Sequence, residues 1–110
     1  RIEWFDEFDF SGKTVLDVGC NSGQYSFYAK KTGARSVTGI DVNEKRIYQA
    51  KMLALNEDLD VDFHVAGVEQ VADFGKFDIV ICIGSRERFQ WKMEDNFKPV
   101  FLGNTGSFLG

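Results

Sequence analysis

The sequence predicts an α/β fold, a parallel sheet with helices on both faces. Three observations predict it. Short apolar stretches recur at about 14–18, 36–40, 61–66 and 77–83, each of strand length. Helix-period stripes separate the first three, over about 24–32 and 43–56. The last stretch carries Ile79-Val-Ile-Cys-Ile83, apolar throughout, which suits a strand buried on both sides. Strands alternating with helices pair in parallel through right-handed crossovers.

The chain has 110 residues and a formal charge of −4. That length predicts a single domain, 1–110, with room for a core. The acidic balance argues against DNA as a partner, because phosphate contact needs a concentrated basic surface. The densest basic group, Arg86, Arg88 and Lys92, is interleaved with Glu87 and Glu94 and reads as a solvated face. No apolar run is long enough for a membrane, and no basic-then-apolar leader is seen, so the expectation is a soluble cytoplasmic protein. Cys20 and Cys82 lack C-x-x-C spacing, and one histidine cannot complete a usual zinc site with them. Both read as reduced thiols, with no metal.

Taken in order, Trp4, Phe5, Phe8 and Phe10 either pad the edge of the core or form a flap over a ligand mouth. Ser11-Gly12-Lys13 is a turn into the first strand. That strand, 14–18, sets one acid, Asp17, among Val15, Leu16 and Val18. The loop 19–23 follows, with glycines at both ends. The first helix runs from about Gln24 to Thr32, with Gly33 where a C-cap glycine belongs. The second strand ends in Asp41, and Asn43 caps a helix that reaches about Asn56. The third strand is 61–66. Residues 67–73 form a loop with a short helical turn, and Gly75-Lys76 turns into the fourth strand. Residues 100–109 read as a hairpin around an Asn/Gly turn.

In such a sheet the ligand lies beyond the carboxyl ends of the strands. The loops 19–23, 41–43, 66–69 and 83–88 should therefore converge. A strand, a glycine loop and a helix in that order suit a nucleotide, because backbone and helix N-terminus can approach it closely. Asp41 follows Gly19 by about 20 residues, where a carboxylate can accept from both hydroxyls of a ribose. Capping the next helix is its competing role. A dinucleotide loop would carry G-x-G-x-x-G. Here Asn21 stands in the middle, and no third glycine follows Gly23 at the required distance. Asp17 would repel a pyrophosphate. It can instead fix the loop's N–H groups, or attract a cationic ammonium. These features favour S-adenosylmethionine over NAD.

Val-Leu-Asp-Val-Gly-Cys-Asn-Ser-Gly, then Val-Thr-Gly-Ile-Asp, then Phe-Asp-Ile-Val-Ile-Cys-Ile-Gly, together resemble the class I S-adenosylmethionine-dependent methyltransferase family, over about 11–84. The Cys-Asn-Ser-Gly form, with Tyr-Ser-Phe after it, is similar to a branch holding tRNA wobble-uridine methyltransferase-like and small-molecule methyltransferases. The resemblance implies a Rossmann-like fold. It implies that Gly19, Cys20, Asn21 and Gly23 line the methionine part of the cofactor, with Asp17 near its amino group. Asp41 would hold the ribose and Val42 would pack on the adenine. Gly67 and Val68 would lie at the adenine edge. Many relatives carry an acid where Val68 stands, which leaves backbone groups or Glu69 for the adenine amine. Ile83 and Gly84 would border the methionine side chain and the substrate entrance.

Methyl transfer from a sulfonium needs in-line approach and exclusion of water, and a base only when the acceptor must lose a proton. Where relatives in that branch show Tyr-His, this chain has Arg86-Glu87-Arg88-Phe89. Glu87 is the candidate base, and Arg86 or Arg88 the candidate anchor for an acidic substrate. Surface ion pairing is the competing role for all three. His64 lies inside the third strand and reads as a packed or edge histidine.

The complete family fold has more strands than this spacing allows. The stretch between the fourth strand and the hairpin is too short for a helix, a strand and a second helix. The sequence therefore predicts an incomplete fold: a fragment, a natural deletion, or a chain lacking an internal stretch. A partner chain, or a second copy in an oligomer, would then cover the open edge. The resemblance implies a methyl acceptor that is a small molecule or an RNA. The alternative is a non-catalytic S-adenosylmethionine-binding or assembly module.

Overall fold

The computed structural model describes residues 8–82 and 101–103. Five strands form one sheet: β1 (Thr14–Val18), β2 (Ser36–Asp41), β3 (Asp62–Val65), β4 (Ile79–Cys82) and β5 (Phe101–Gly103). Their order is β3-β2-β1-β4-β5, and every neighbouring pair is parallel. The two α-helices are α1 (Gln24–Lys31) and α2 (Glu44–Glu57), and a 3-10 helix spans Val68–Phe74. The direction of winding reverses between β3 and β4. The switch point thus falls at the carboxyl end of β1, where the glycine loop begins.

Alternation along the strands sorts the core into two faces. Val15, Val37, Ile79 and Ile81 pack with Ala29 of α1 and with Phe10. Leu16, Val18, Ile40 and Val80 point the other way and pack with Val71 and Phe77. Leu16, Ile40, Val80 and Ile81 are fully buried, each worth about 1.5–3 kcal/mol relative to exposure. A third cluster joins Phe27 of α1, Ile47, Ala50 and Ala54 of α2, and Phe63 of β3. Among the described residues, α1 and α2 therefore share one face, and the 3-10 helix takes the other.

The helix ends follow the local sequence. Asn43 caps α2 by accepting the Arg46 amide at 3.2 Å. Gly33, at φ 106°, closes α1: the Gly33 amide bonds to Lys30 O and the Ala34 amide to Ala29 O. That pair of bonds is the Schellman arrangement. Asp58, at φ 53°, ends α2 in the same way, with the Leu59 amide on Ala54 O. The turn at 11–13 forms as expected, with Lys13 N–H on Phe10 O. Phe8 and Phe10 join the core, their rings 5.2 Å apart. Trp4 and Phe5 lie outside the described residues.

The tail adds a parallel neighbour that the sequence does not announce: Phe101–Gly103 runs parallel to β4, with Val80 opposite Phe101 and Cys82 opposite Gly103. The rest of the expected hairpin lies outside the described residues. A parallel neighbour is reached through a connection of about a dozen residues or more, and 83–100 separate β4 from β5. Among the described residues no helix is long and apolar enough to cross a membrane.

Candidate functional site

Asp41 is the tie point at the carboxyl ends of the strands. Its Oδ2 accepts the Asn21 amide at 2.8 Å, and its Oδ1 accepts the Asn43 amide at 2.8 Å. Its backbone oxygen accepts the Ala66 amide at 3.0 Å. One residue thus binds the loops 19–23, 41–43 and 66–69 together. An ionised carboxylate offers about four lone-pair positions, so two hydrogen bonds leave capacity for further donors. Asp41 does not cap α2, since Asn43 does that. Beside it, Val42 is 64% exposed, a bare apolar side chain at the mouth of the site.

The loop itself is held in an unusual shape. Gly19, Asn21 and Gly23 have φ values of 69°, 58° and 95°. Asparagine tolerates the left-handed region better than most residues. Asn21 therefore takes the backbone shape expected of a glycine, and its Oδ1 accepts the Ser22 amide at 3.0 Å. The Cys20 amide is fixed on Ile40 O at 2.9 Å, and the Gly23 amide on Cys20 O at 2.9 Å. Gly23 starts α1 with no side-chain cap.

Below the loop sits Phe63. A Cβ on Gly39 would lie 2.7 Å from its ring, and a Cβ on Gly23 would lie 2.8 Å from it. The same ring meets Phe27 edge-on at 5.5 Å. The loop therefore rests on an aromatic floor that admits no extra methyl group.

Asp17 is 1% exposed. Its Oδ2 accepts the Ser26 hydroxyl at 2.7 Å, while its Oδ1 is buried with no hydrogen-bond partner. Burial pushes its carboxyl up to about 7; Ser26 lowers it and the Asp41 charge raises it further. Of the two roles open to Asp17, holding the loop's N–H groups is not seen. An orphaned buried carboxyl oxygen is costly and calls for a donor or a cation. The Cys20 thiol is pushed up well above its ordinary range, mainly by burial. Burial likewise raises Cys82, to about 12, and both thiols are free.

Gly67 donates to Gln70 Oε1 at 3.0 Å, and the Glu69 carboxylate folds over Gly67. Val68 packs against the 3-10 side of the core. His64 pairs with Asp62 at 2.8 Å and lies on Phe74 at 4.9 Å, as an edge histidine should. Ile83, Gly84, Arg86, Glu87 and Arg88 lie outside the described residues. A groove of about 520 Å³ lies between Lys51, Leu55 and Val61, at the opposite end of the sheet, and has no part in this site. No cluster of three metal-ligating side chains occurs among the described residues.

Two residues matter here that the motifs do not single out. Ser26 is a small polar residue on the buried face of a helix, nine positions after a buried acid. Phe63 has its signal in Gly39, a glycine inside a strand, which marks a close approach.

A methyltransferase-domain family model matches residues 15–100. A ubiquinone biosynthesis O-methyltransferase of Pseudomonas paraeruginosa is 42% identical over 86 residues, covering 76% of this chain and 37% of that protein. A tRNA U34 carboxymethyltransferase of Campylobacter hominis is 36% identical, covering 69% of this chain and 27% of that one. Magnesium protoporphyrin IX methyltransferase from Synechocystis, solved with bound S-adenosylmethionine, superposes with a TM-score of 0.64 at 29% identity, over 74% of this chain and 40% of that one. The chain spans little more than a third of the length of the curated relatives it matches.

Proposed function

The chain belongs to the class I S-adenosylmethionine-dependent methyltransferase family, and on that premise we propose that it binds S-adenosylmethionine across the loops tied by Asp41 and serves methyl transfer to a small-molecule or RNA acceptor. The observation that carries the proposal is the convergence of three loops on one carboxylate, beside a buried acid with an unsatisfied oxygen.

The donor set fits the cofactor. Asp17 offers a buried, unpartnered carboxyl oxygen to an ammonium group. Gly19, Cys20, Asn21 and Gly23 give a close-approach backbone for the methionine part. Asp41 keeps lone pairs for ribose hydroxyls, its position fixed by the Asn21 and Asn43 amides. Exposed Val42 supplies an apolar surface for the adenine. Gly67, with Glu69 folded over it, and its neighbour Val68 border the adenine edge; Ile83, assigned to the methionine side by the family resemblance, lies outside the described residues. When bound, S-adenosylmethionine supplies a methyl group on a sulfonium leaving group. The protein's share is to orient that group and exclude water. Glu87 is proposed as a base and Arg86 as a substrate anchor, where the acceptor needs them. A cytoplasmic setting, and a second copy along an open sheet edge, belong to the same reading.

A second reading, cofactor binding without transfer by this chain alone, is favoured by one fact. The residues proposed for binding lie mostly in 15–68, whereas both catalytic candidates lie in the connection after β4. Equilibrium dialysis against radiolabelled S-adenosylmethionine tests the shared step. Retention that S-adenosylhomocysteine abolishes and NADH leaves intact supports it. No retention, or displacement by NADH, overturns it.

A further inference from the structure

We propose that Asp17 is a proton-linked anchor, which keeps its proton until a cationic amino group seats against it and then releases that proton to solvent, with Ser26 as its positioning residue. This rests on the cofactor reading above and adds to it a coupling between ligand binding and proton release.

The geometry carries the inference. Asp17 is the last but one residue of β1, opposite Gly39 on β2 and Ile81 on β4, so no polar side chain faces it in register from either strand. From α1 the Ser26 hydroxyl, itself fully buried, donates to Oδ2. That fixes which oxygen is left over: Oδ1 is buried and has no hydrogen-bond partner. The titratable groups around it are the thiols of Cys20 in the loop and Cys82 on β4, both neutral, and the carboxylate of Asp41 beyond β2. Among the described residues, Asp41 is the side chain whose charge acts on it, and that charge disfavours a second carboxylate. A carboxylate here would be desolvated, supported by Ser26 alone, and repelled by Asp41. The protonated acid is the form that this surrounding favours, and the raised titration agrees. A bound ammonium reverses the balance by supplying a donor and a positive charge to Oδ1.

The step balances simply. The O–H bond of Asp17 breaks, its proton passes to water or buffer, and the carboxylate pairs with the ammonium. No covalent bond to the ligand forms and no electron moves.

Calorimetric titration of the chain with S-adenosylhomocysteine, in buffers of different ionisation enthalpy, counts the protons exchanged. With a midpoint at about 7, release should be about 0.9 proton per ligand at pH 6 and about 0.1 at pH 8. Apparent affinity should fall about tenfold per pH unit well below the midpoint. In Ser26→Ala the hydroxyl that favours the carboxylate is lost, so the midpoint should move to higher pH. Ser26→Thr, which restores a hydroxyl, should return it. A purely structural Ser26 would change affinity without moving that midpoint. Binding at pH 6 with no proton released overturns the inference and leaves the cofactor reading intact. No binding at any pH overturns the cofactor reading itself.

Discussion

Asp41 reaches back twenty positions to hold the Asn21 amide at 2.8 Å, so the end of one strand sets the shape of the loop after another. The loop is not shaped by its glycines alone. With Asp41→Ala, the Asn21 and Asn43 amides lose their acceptor. Both should exchange with deuterated solvent at least tenfold faster, while amides in the centre of β1 keep their protection. Unchanged exchange at Asn21 would mean that the loop holds its form without the carboxylate.

The aromatic floor predicts a sharp steric cost. In Gly39→Ala the new Cβ meets Phe63 at 2.7 Å. Overpacking of this kind should destabilise the chain by about 1–3 kcal/mol in urea unfolding. The double variant with Phe63→Leu should recover part of that loss, because the ring is what the methyl strikes. Additive losses in the double variant would place the strain elsewhere.

Val42 separates binding from folding. Its side chain is largely exposed, so Val42→Ala should shift unfolding by no more than about 0.5 kcal/mol. Its affinity for S-adenosylhomocysteine should nevertheless fall several-fold, as an apolar surface under the adenine is trimmed. Equal affinity would remove Val42 from the site.

Asp17 makes stability depend on pH without any ligand. Its folded carboxyl titrates at about 7, above its ordinary value near 3.8. Between those values the folded chain keeps a proton that the unfolded chain has lost. The stability contributed by this group is therefore greatest at low pH and declines as pH rises from about 4 to 7. The gain from Asp17→Asn, relative to the parent chain, should grow across that window by up to about 1.4 kcal/mol per pH unit. Parallel unfolding curves at pH 5 and pH 8 would contradict it.

Much of this was legible in the sequence because local rules acted alone. The bounds of β1, α1, β2 and α2 follow from periodicity, the Gly33 terminus and the Asn43 cap. Strand four begins later than its apolar run, because Asp78 uses its carboxylate and amide to hold Thr14 instead of extending the ladder's apolar core. The place of β5 was not legible. Three residues carry no pattern that says which strand of the sheet they join or in which direction. In the site, Asp17 and Asp41 stood out as acids at strand positions. Their partners, Ser26 and the Asn21 amide, did not, since those bonds cross elements whose packing only the fold decides.

The central claim is that the loops tied by Asp41 hold S-adenosylmethionine. Side-by-side calorimetric titration of the chain and its Asp41→Ala variant with S-adenosylhomocysteine at pH 8 tests it most directly. The account predicts saturable one-to-one binding to the parent chain and at least a tenfold weaker signal from the variant. No binding to the parent chain, or equal binding by both, would contradict it.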